Sequence, residues 1–225
     1  MGRSFIECIS LNKQYGSKKH IVHALRNIDC QISRGEFVLL KGRSGAGKST
    51  LLNLIGGLIK PTSGTVRIED DIISELNNES LSRLLLNKIG IIFQNFNLLP
   101  TYNIFENIEV ALAPLQLSKD EIHRRIVLYL EQFNLEAMSE MMPEELSLGQ
   151  QQKVAIIRTL VKQPLLILAD EPTASVDYQA ADEILNFLNE LRNSKNVTVI
   201  LATHGIVPDS FADRLIMLEN GSIVR

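Results

Sequence analysis

A chain of 225 residues with 45% hydrophobic and 22% charged side chains carries enough apolar material for one large domain without disulfide or metal staples. Its formal net charge of −3 argues against nucleic acid or an anionic bilayer as the main partner. The two cysteines, Cys8 and Cys30, stand in no paired metal-ligand spacing and read as ordinary thiols of a reduced compartment.

Taken in chain order, Met1 to Lys19 is polar and lacks the apolar segment of a signal peptide. Gly2 is not followed by the Ser or Thr that myristoylation requires. Phe5–Leu11, Ile28–Ile32 and Glu36–Lys41 are short apolar or alternating runs punctuated by Gly35 and Gly42, and they read as strands. The phosphate-loop pattern G-x-x-x-x-G-K-S/T follows as Gly42-Arg43-Ser44-Gly45-Ala46-Gly47-Lys48-Ser49-Thr50. Glycines let backbone amides approach a strongly anionic triphosphate, and the positive end of the next helix points at the same charges. Lys48 is expected on the β- and γ-phosphates and the Ser49 hydroxyl on Mg²⁺. The strand before the loop and the helix Ser49–Leu58 after it supply the context that a chance glycine-rich turn lacks.

Beyond the turn Lys60–Gly64, Thr65–Ile68 reads as a strand, and Ile89–Phe93 as a buried one ending near Gln94. From about Asn95 to Lys162 the pattern is helical, with Ile122, Ile126, Leu130 and Phe133 at helix spacing. This stretch is expected as a helical subdomain (residues 95–162) inserted into a core made of residues 1–94 and 163–225. Gln150–Val161 is a further helix, for which Ser147 and Gln150 have the spacing of a capping box. Leu165–Ala169 is a buried strand that runs into Asp170 and Glu171. Ligands of open α/β sheets sit beyond the carboxyl ends of strands, so both acids should face the phosphate loop. There Asp170 suits Mg²⁺ and Glu171 can polarise an attacking water; alone, two acids at a strand end are a common solvated feature. Asp182–Leu191 is helical, and Val197–Ala202 is a strand followed by His204, which can reach a γ-phosphate. Alternating strands and helices imply an α/β fold with a mostly parallel core sheet covered on both faces. No apolar run approaches the ~18–20 residues of a membrane span.

In combination these residues resemble the nucleotide-binding domain of ABC transporters over nearly the whole chain. Leu146-Ser147-Leu148-Gly149-Gln150 is similar to the family's LSGGQ signature, Gln94 to its Q-loop, Thr173-Ala174-Ser175-Val176-Asp177 to its D-loop, and Thr203-His204 to its switch. Tyr15 lies where the family places an aromatic that stacks on adenine. The resemblance implies a P-loop NTPase with an N-terminal antiparallel β subdomain and an inserted helical subdomain. It also implies ATP and Mg²⁺ as ligands, with Ser49, Gln94 and Asp170 at the metal, and Glu171, His204, Gln94 and Lys48 as the catalytic set. Ser147, Gly149, Gln150 and Asp177 would meet the nucleotide of a second ATPase chain, identical or not, across a head-to-tail dimer. A separate transmembrane permease would be the partner, on the cytoplasmic face of the plasma membrane. Phe96, Leu98 and Leu99 are candidates for contact with that partner, or else core of the helical subdomain. Leu52-Asn53-Leu54-Ile55-Gly56-Gly57, Phe93–Pro100 and Leu168–Thr173 look like the ATPases of lipoprotein-release, macrolide-efflux and antimicrobial-peptide-resistance transporters.

Four positions depart from the family pattern. Leu148 replaces the first signature glycine, Lys153 a common Arg, Gly205 the Asp after the switch His, and Arg43 a frequent Pro. Leu148 beside an intact catalytic set points to a working but slow ATPase. A second reading is a nucleotide-gated regulatory module with little turnover, as in cell-division relatives. A soluble ATPase of DNA repair or translation is disfavoured, because the chain has no coiled-coil insertion, cysteine cluster or second phosphate loop.

Overall fold

A computed structural model describes residues 4–17, 20–205 and 207–224. The Gly2 reading lies outside the described residues, as does part of the N-terminal stretch. Six strands form the main sheet: β3 (Phe37–Lys41), β6 (Ile89–Ile92), β7 (Leu166–Asp170), β8 (Thr198–Thr203), β9 (Arg214–Glu219) and β10 (Ser222–Val224), in the order β10-β9-β3-β8-β7-β6. All neighbours are parallel except the β9–β10 hairpin. A second, antiparallel sheet has the order β2-β1-β4-β5, from β1 (Ile6–Ser17), β2 (His20–Ile32), β4 (Ser63–Ile68) and β5 (Asp71–Ile72).

Strand side chains alternate between faces, and here both faces are apolar. Phe37, Leu39, Ile167, Ala169, Val199 and Leu201 pack in one core with α4 (Lys119–Gln132), α5 (Leu148–Leu160) and α6 (Tyr178–Lys195). Val38, Leu40, Leu166, Leu168, Ile200 and Ala202 pack in the other, against α1 (Lys48–Ile55) and the antiparallel sheet. Burying each of the larger side chains contributes ~1.5–3 kcal/mol, which fixes the register of the strands. Between β6 and β7 the described chain forms only helices and turns, α3 (Ile104–Glu109) being the first helix.

Several elements differ from the sequence expectation. The first two strands extend to Ser17 and back from His20, and β1 takes irregularities between Cys8 and Gln14 to keep its pairing. The polar half of this hairpin has no apolar alternation to announce it. The helix after the phosphate loop stops at Ile55 rather than Leu58, because Gly56 caps it and Gly57 turns left-handed at φ 69°. Helix α2 (Asn78–Asn87), capped by Asn77, and the β9–β10 hairpin were not anticipated. The hairpin had a readable signal: Asn220 and Gly221 both take positive φ, as a tight two-residue turn demands. The helix of the signature begins at Leu148, two residues before the expected start.

Candidate functional site

The strand order fixes the site. Because β3, β8, β7 and β6 are parallel neighbours, their carboxyl ends lie along one edge. The phosphate loop, His204, the Asp170-Glu171 pair and Gln94 therefore follow one another along that edge. Segments separated by more than a hundred residues of chain are brought side by side by sheet pairing alone.

The phosphate loop, residues 42–47, joins β3 to α1. Gly47 is the N-cap of α1 with φ 106°, and no side chain caps it. A Cβ there would lie 2.5 Å from the Ala24 carbonyl oxygen of β2, so this glycine is demanded by the protein's own packing. At Gly45 a Cβ would meet nothing within 4 Å, so the space that glycine leaves faces the open side of the loop. The amides of Gly45, Gly47, Lys48 and Ser49 have no acceptor among the described residues, and they sit at the positive end of α1. Arg43, Ser44 and Gly45 are exposed, Ala46 is buried and Thr50 half-buried. An open cleft of about 510 Å³ lies over the loop, walled by Gly42 to Ala46 on one side and Thr203 to Gly205 on another.

Lys48 is 7% exposed. Its Nζ donates to the Gly42 carbonyl at 2.8 Å and the Arg43 carbonyl at 3.3 Å, and stands 3.9 Å from Glu171 Oε1. The ammonium is thus held inside the loop, next to the position a phosphate would take. The Ser49 hydroxyl stands beside the Asp170 carboxylate. Burial pushes Asp170 above the ordinary carboxylate value, against the opposing pull of Ser49 and Lys48. Its Oδ1 is buried with no hydrogen-bond partner among the described residues. A desolvated, unpartnered carboxylate oxygen beside a hydroxyl is a hard-oxygen donor set suited to Mg²⁺.

Glu171 is buried, and its backbone takes the left-handed region at φ 51°. A non-glycine residue held there costs ~1–3 kcal/mol. The conformation is secured by its amide, which donates to the Ala202 carbonyl at 2.9 Å. Glu171 Oε1 lies 2.6 Å from His204 Nδ1, while the His204 ring is more than half exposed. After β8 the chain turns as the Gly205 amide donates to Thr203 Oγ1 at 2.9 Å. Gln94, two residues beyond β6, is exposed. Tyr15 is exposed on β1, with Lys13 Nζ 5.0 Å from its ring centroid.

Among the described residues, no hydrogen bond or ion pair joins the signature residues to this cluster. Ser147 caps α5 reciprocally: its hydroxyl accepts from the Gln150 amide at 3.3 Å, and its own amide donates to Gln150 Oε1 at 2.8 Å. Gln150 also approaches Met138 through Nε2, so its side chain is occupied within the chain. Leu146 is buried and Leu148 is 56% exposed. A Cβ on Gly149 would come 3.3 Å from the Ala180 side chain of α6. Asp177 caps α6 by accepting from the Ala180 amide at 2.9 Å. Lys153 and Glu183 pair at 2.5 Å and tie α5 to α6. The D-loop and the signature are therefore linked to each other.

Sequence reasoning missed Arg158 and Asn107. Arg158 on α5 donates to the Phe96 and Asn97 carbonyls at 2.8 and 2.7 Å. Asn107, fully buried, accepts from the Leu99 amide and donates to the Leu99, Tyr102 and Asn103 carbonyls. Arg158 binds the segment after Gln94 to the signature helix, and Asn107 binds it to α3. An Arg at the end of an apolar helix face was the available signal. In the bound segment Leu98 packs against the core, Phe96 is half-buried and Leu99 is exposed.

Comparison with known proteins agrees with this geometry. Residues 25–174 match the ABC transporter family. The chain is similar to the ABC transporter ATP-binding protein MJ0796 of Methanocaldococcus jannaschii, at 38% identity over 98% of this chain and 95% of that one. It is also similar to the ATP-binding/permease protein MacB, for macrolide export, of Mannheimia succiniciproducens, at 39% identity over 98% of this chain and 34% of that one. Among solved structures, the dimeric post-hydrolysis state of MJ0796 bound to ADP and Pi aligns with TM-score 0.92 at 38% identity, covering 98% of this chain and 97% of that one.

Proposed function

The chain belongs to the ABC transporter family as an ATP-hydrolysing ATP-binding subunit, and we propose on that premise which residues perform the hydrolysis. The observation that carries the assignment is the alignment of four strand ends, which sets Glu171 against both His204 and Lys48. The open amides of Gly45, Gly47, Lys48 and Ser49 and the Lys48 ammonium bind the β- and γ-phosphates, and Arg43, Ser44, Ala46 and Thr50 complete the loop around them. Tyr15 stacks on the base. Glu171 accepts a proton from the attacking water, and His204 orients that carboxylate through Nδ1 and faces the γ-phosphate. Ser49, Asp170 and Gln94 would hold Mg²⁺, which neutralises charge on the phosphates when bound. The buried, unpartnered Asp170 oxygen supports that set.

We read the chain as dividing into a nucleotide-binding core (residues 1–94 and 163–225) and a helical signature subdomain (95–162). Ser147, Gly149, Gln150 and Asp177 act on the nucleotide of a second ATPase chain, for which an identical copy is the simplest candidate. The exposed Ser147 and Leu148, with the signature making no bond to the phosphate cluster among the described residues, support this arrangement. A permease on the cytoplasmic face of the plasma membrane would be engaged near Gln94 to Leu99; no helix among the described residues is long and apolar enough to cross a membrane itself. Likeness to MacB, together with the Phe93–Pro100 and Leu168–Thr173 stretches, supports the lipoprotein-release, macrolide-efflux and antimicrobial-peptide-resistance group as its setting.

The test is phosphate release from Mg-ATP by the purified chain beside Glu171→Gln. Turnover should fall by ~10²–10⁴-fold in the variant, and ATP should then hold it as a dimer. A variant that hydrolyses at the parental rate would remove Glu171 from the chemistry. Low turnover in the unaltered chain, restored by Leu148→Gly, would favour the regulatory reading, for which the exposed Leu148 is the specific observation.

A further inference from the structure

Cys8 and Cys30 are 22 positions apart in sequence, yet they are directly opposed across the β1–β2 ladder. Directly opposed residues of an antiparallel pair have Cα atoms ~4.5–5.5 Å apart. That range falls within the ~4.4–6.8 Å over which a disulfide closes. The two thiols are close enough to perturb each other's ionisation. They also line one cavity, of about 690 Å³, between the antiparallel sheet and the β9–β10 hairpin, with Arg214, Ile216 and Ile223 among its walls. Cys8 is 2% exposed and Cys30 is half-buried. The cavity therefore offers one reachable sulfur backed by a hidden one.

We propose that Cys8 and Cys30 form a reversible thiol–disulfide site, in which Cys30 is attacked or attacks first and Cys8 resolves. The electrostatics agree with that division. The neighbouring Cys8 thiol and the Arg214 guanidinium hold the Cys30 thiol below its ordinary value against the effect of burial. The neighbouring Cys30 thiol and burial push Cys8 well above it. The thiolate is the nucleophile, so Cys30 is the sulfur that exchanges with a low-molecular-weight disulfide. Its Sγ bonds to one sulfur of that disulfide, the S–S bond breaks, and one small thiolate leaves. Cys8 then gives its proton to solvent, its sulfur bonds to Cys30 Sγ, and the second small thiolate leaves. Two protein thiols and one small disulfide become one protein disulfide and two small thiols. The bond would staple the strands that carry Tyr15 and the Ala24 carbonyl against the phosphate loop.

The test treats the native full-length chain with oxidised glutathione, blocks remaining thiols with an alkylating agent, and maps a non-reducing digest by mass spectrometry. The expected result is one peptide linking Cys8 to Cys30 within a chain, neither residue alkylated, and full reversal by dithiothreitol. Cys8→Ser should instead retain glutathione on Cys30, while Cys30→Ser leaves Cys8 unmodified in the folded chain. Alkylation of both residues after oxidant, a link only between chains, or a link that forms only in the denatured chain would overturn the proposal. Because the main result is read on the unaltered sequence, a variant that fails to fold does not decide it.

Discussion

Two helix N-termini serve the proposed chemistry, and they are built in opposite ways. Helix α1 starts from Gly47 with no side-chain cap, and its first amides find no acceptor among the described residues. Beside it stands Asp170, a carboxylate with one buried oxygen unpartnered. Helix α5 starts from Ser147 in a complete capping box with Gln150. The first end is unfinished without its ligand; the second is satisfied alone and offers only an exposed surface. A helix end that must seize phosphates within its own chain leaves its donors open. One that meets a nucleotide across an interface must stay folded before the partner arrives.

The contrast can be broken or sharpened by substitution. The largest effect is expected for Gly47→Ala, where the new methyl would meet the Ala24 carbonyl 2.5 Å away and the backbone sits at φ 106°. A loss of ~1–3 kcal/mol for the backbone conformation alone should appear in denaturant unfolding, together with loss of ATP binding by titration. Ser147→Ala should destabilise the empty chain by ~1 kcal/mol, measured the same way, because it opens a satisfied cap.

Asp170→Asn should do the reverse and raise the melting temperature of the empty chain at neutral pH. The sign follows from the raised folded-state value of Asp170. The folded state binds its proton more tightly than the unfolded one, so stability falls as pH rises from the unfolded value through the folded one. The gain from Asn should therefore vanish in acid, below the ordinary carboxylate range. If Asn is neutral or destabilising at neutral pH, the α1 end is not the strained one. The smallest effect on stability belongs to Leu148→Gly, since that side chain is 56% exposed and the helix-propensity cost is at most ~1 kcal/mol. Its turnover should rise several-fold in a phosphate-release assay; an unchanged rate would mean the leucine clears the interface.

Much of the site was legible before any coordinates. The glycine spacing of residues 42–47, the acids after an apolar run at 165–169 and the Ser147–Gln150 pair are local signals tied to local geometry. What escaped was of two kinds. The Asn220-Gly221 hairpin was readable and overlooked. The long polar strands of the β1–β2 hairpin, the carbonyl partners of Arg158 and Asn107 and the Cys8–Cys30 opposition were not readable, because each depends on a partner distant in sequence or on burial.

The sequence by itself determined which residues are proposed for phosphate and metal, and the alternation of strands and helices that presents them at strand ends. Those are properties of residue type and short spacing. Only the tertiary structure decided that Glu171 is held in a left-handed turn against His204, that Lys48 waits on its own loop's carbonyls, and that the signature, among the described residues, bonds to no member of the phosphate cluster. The order in which strands pair sets these relations, and pairing is fixed by the burial of two apolar faces, which no single segment can specify.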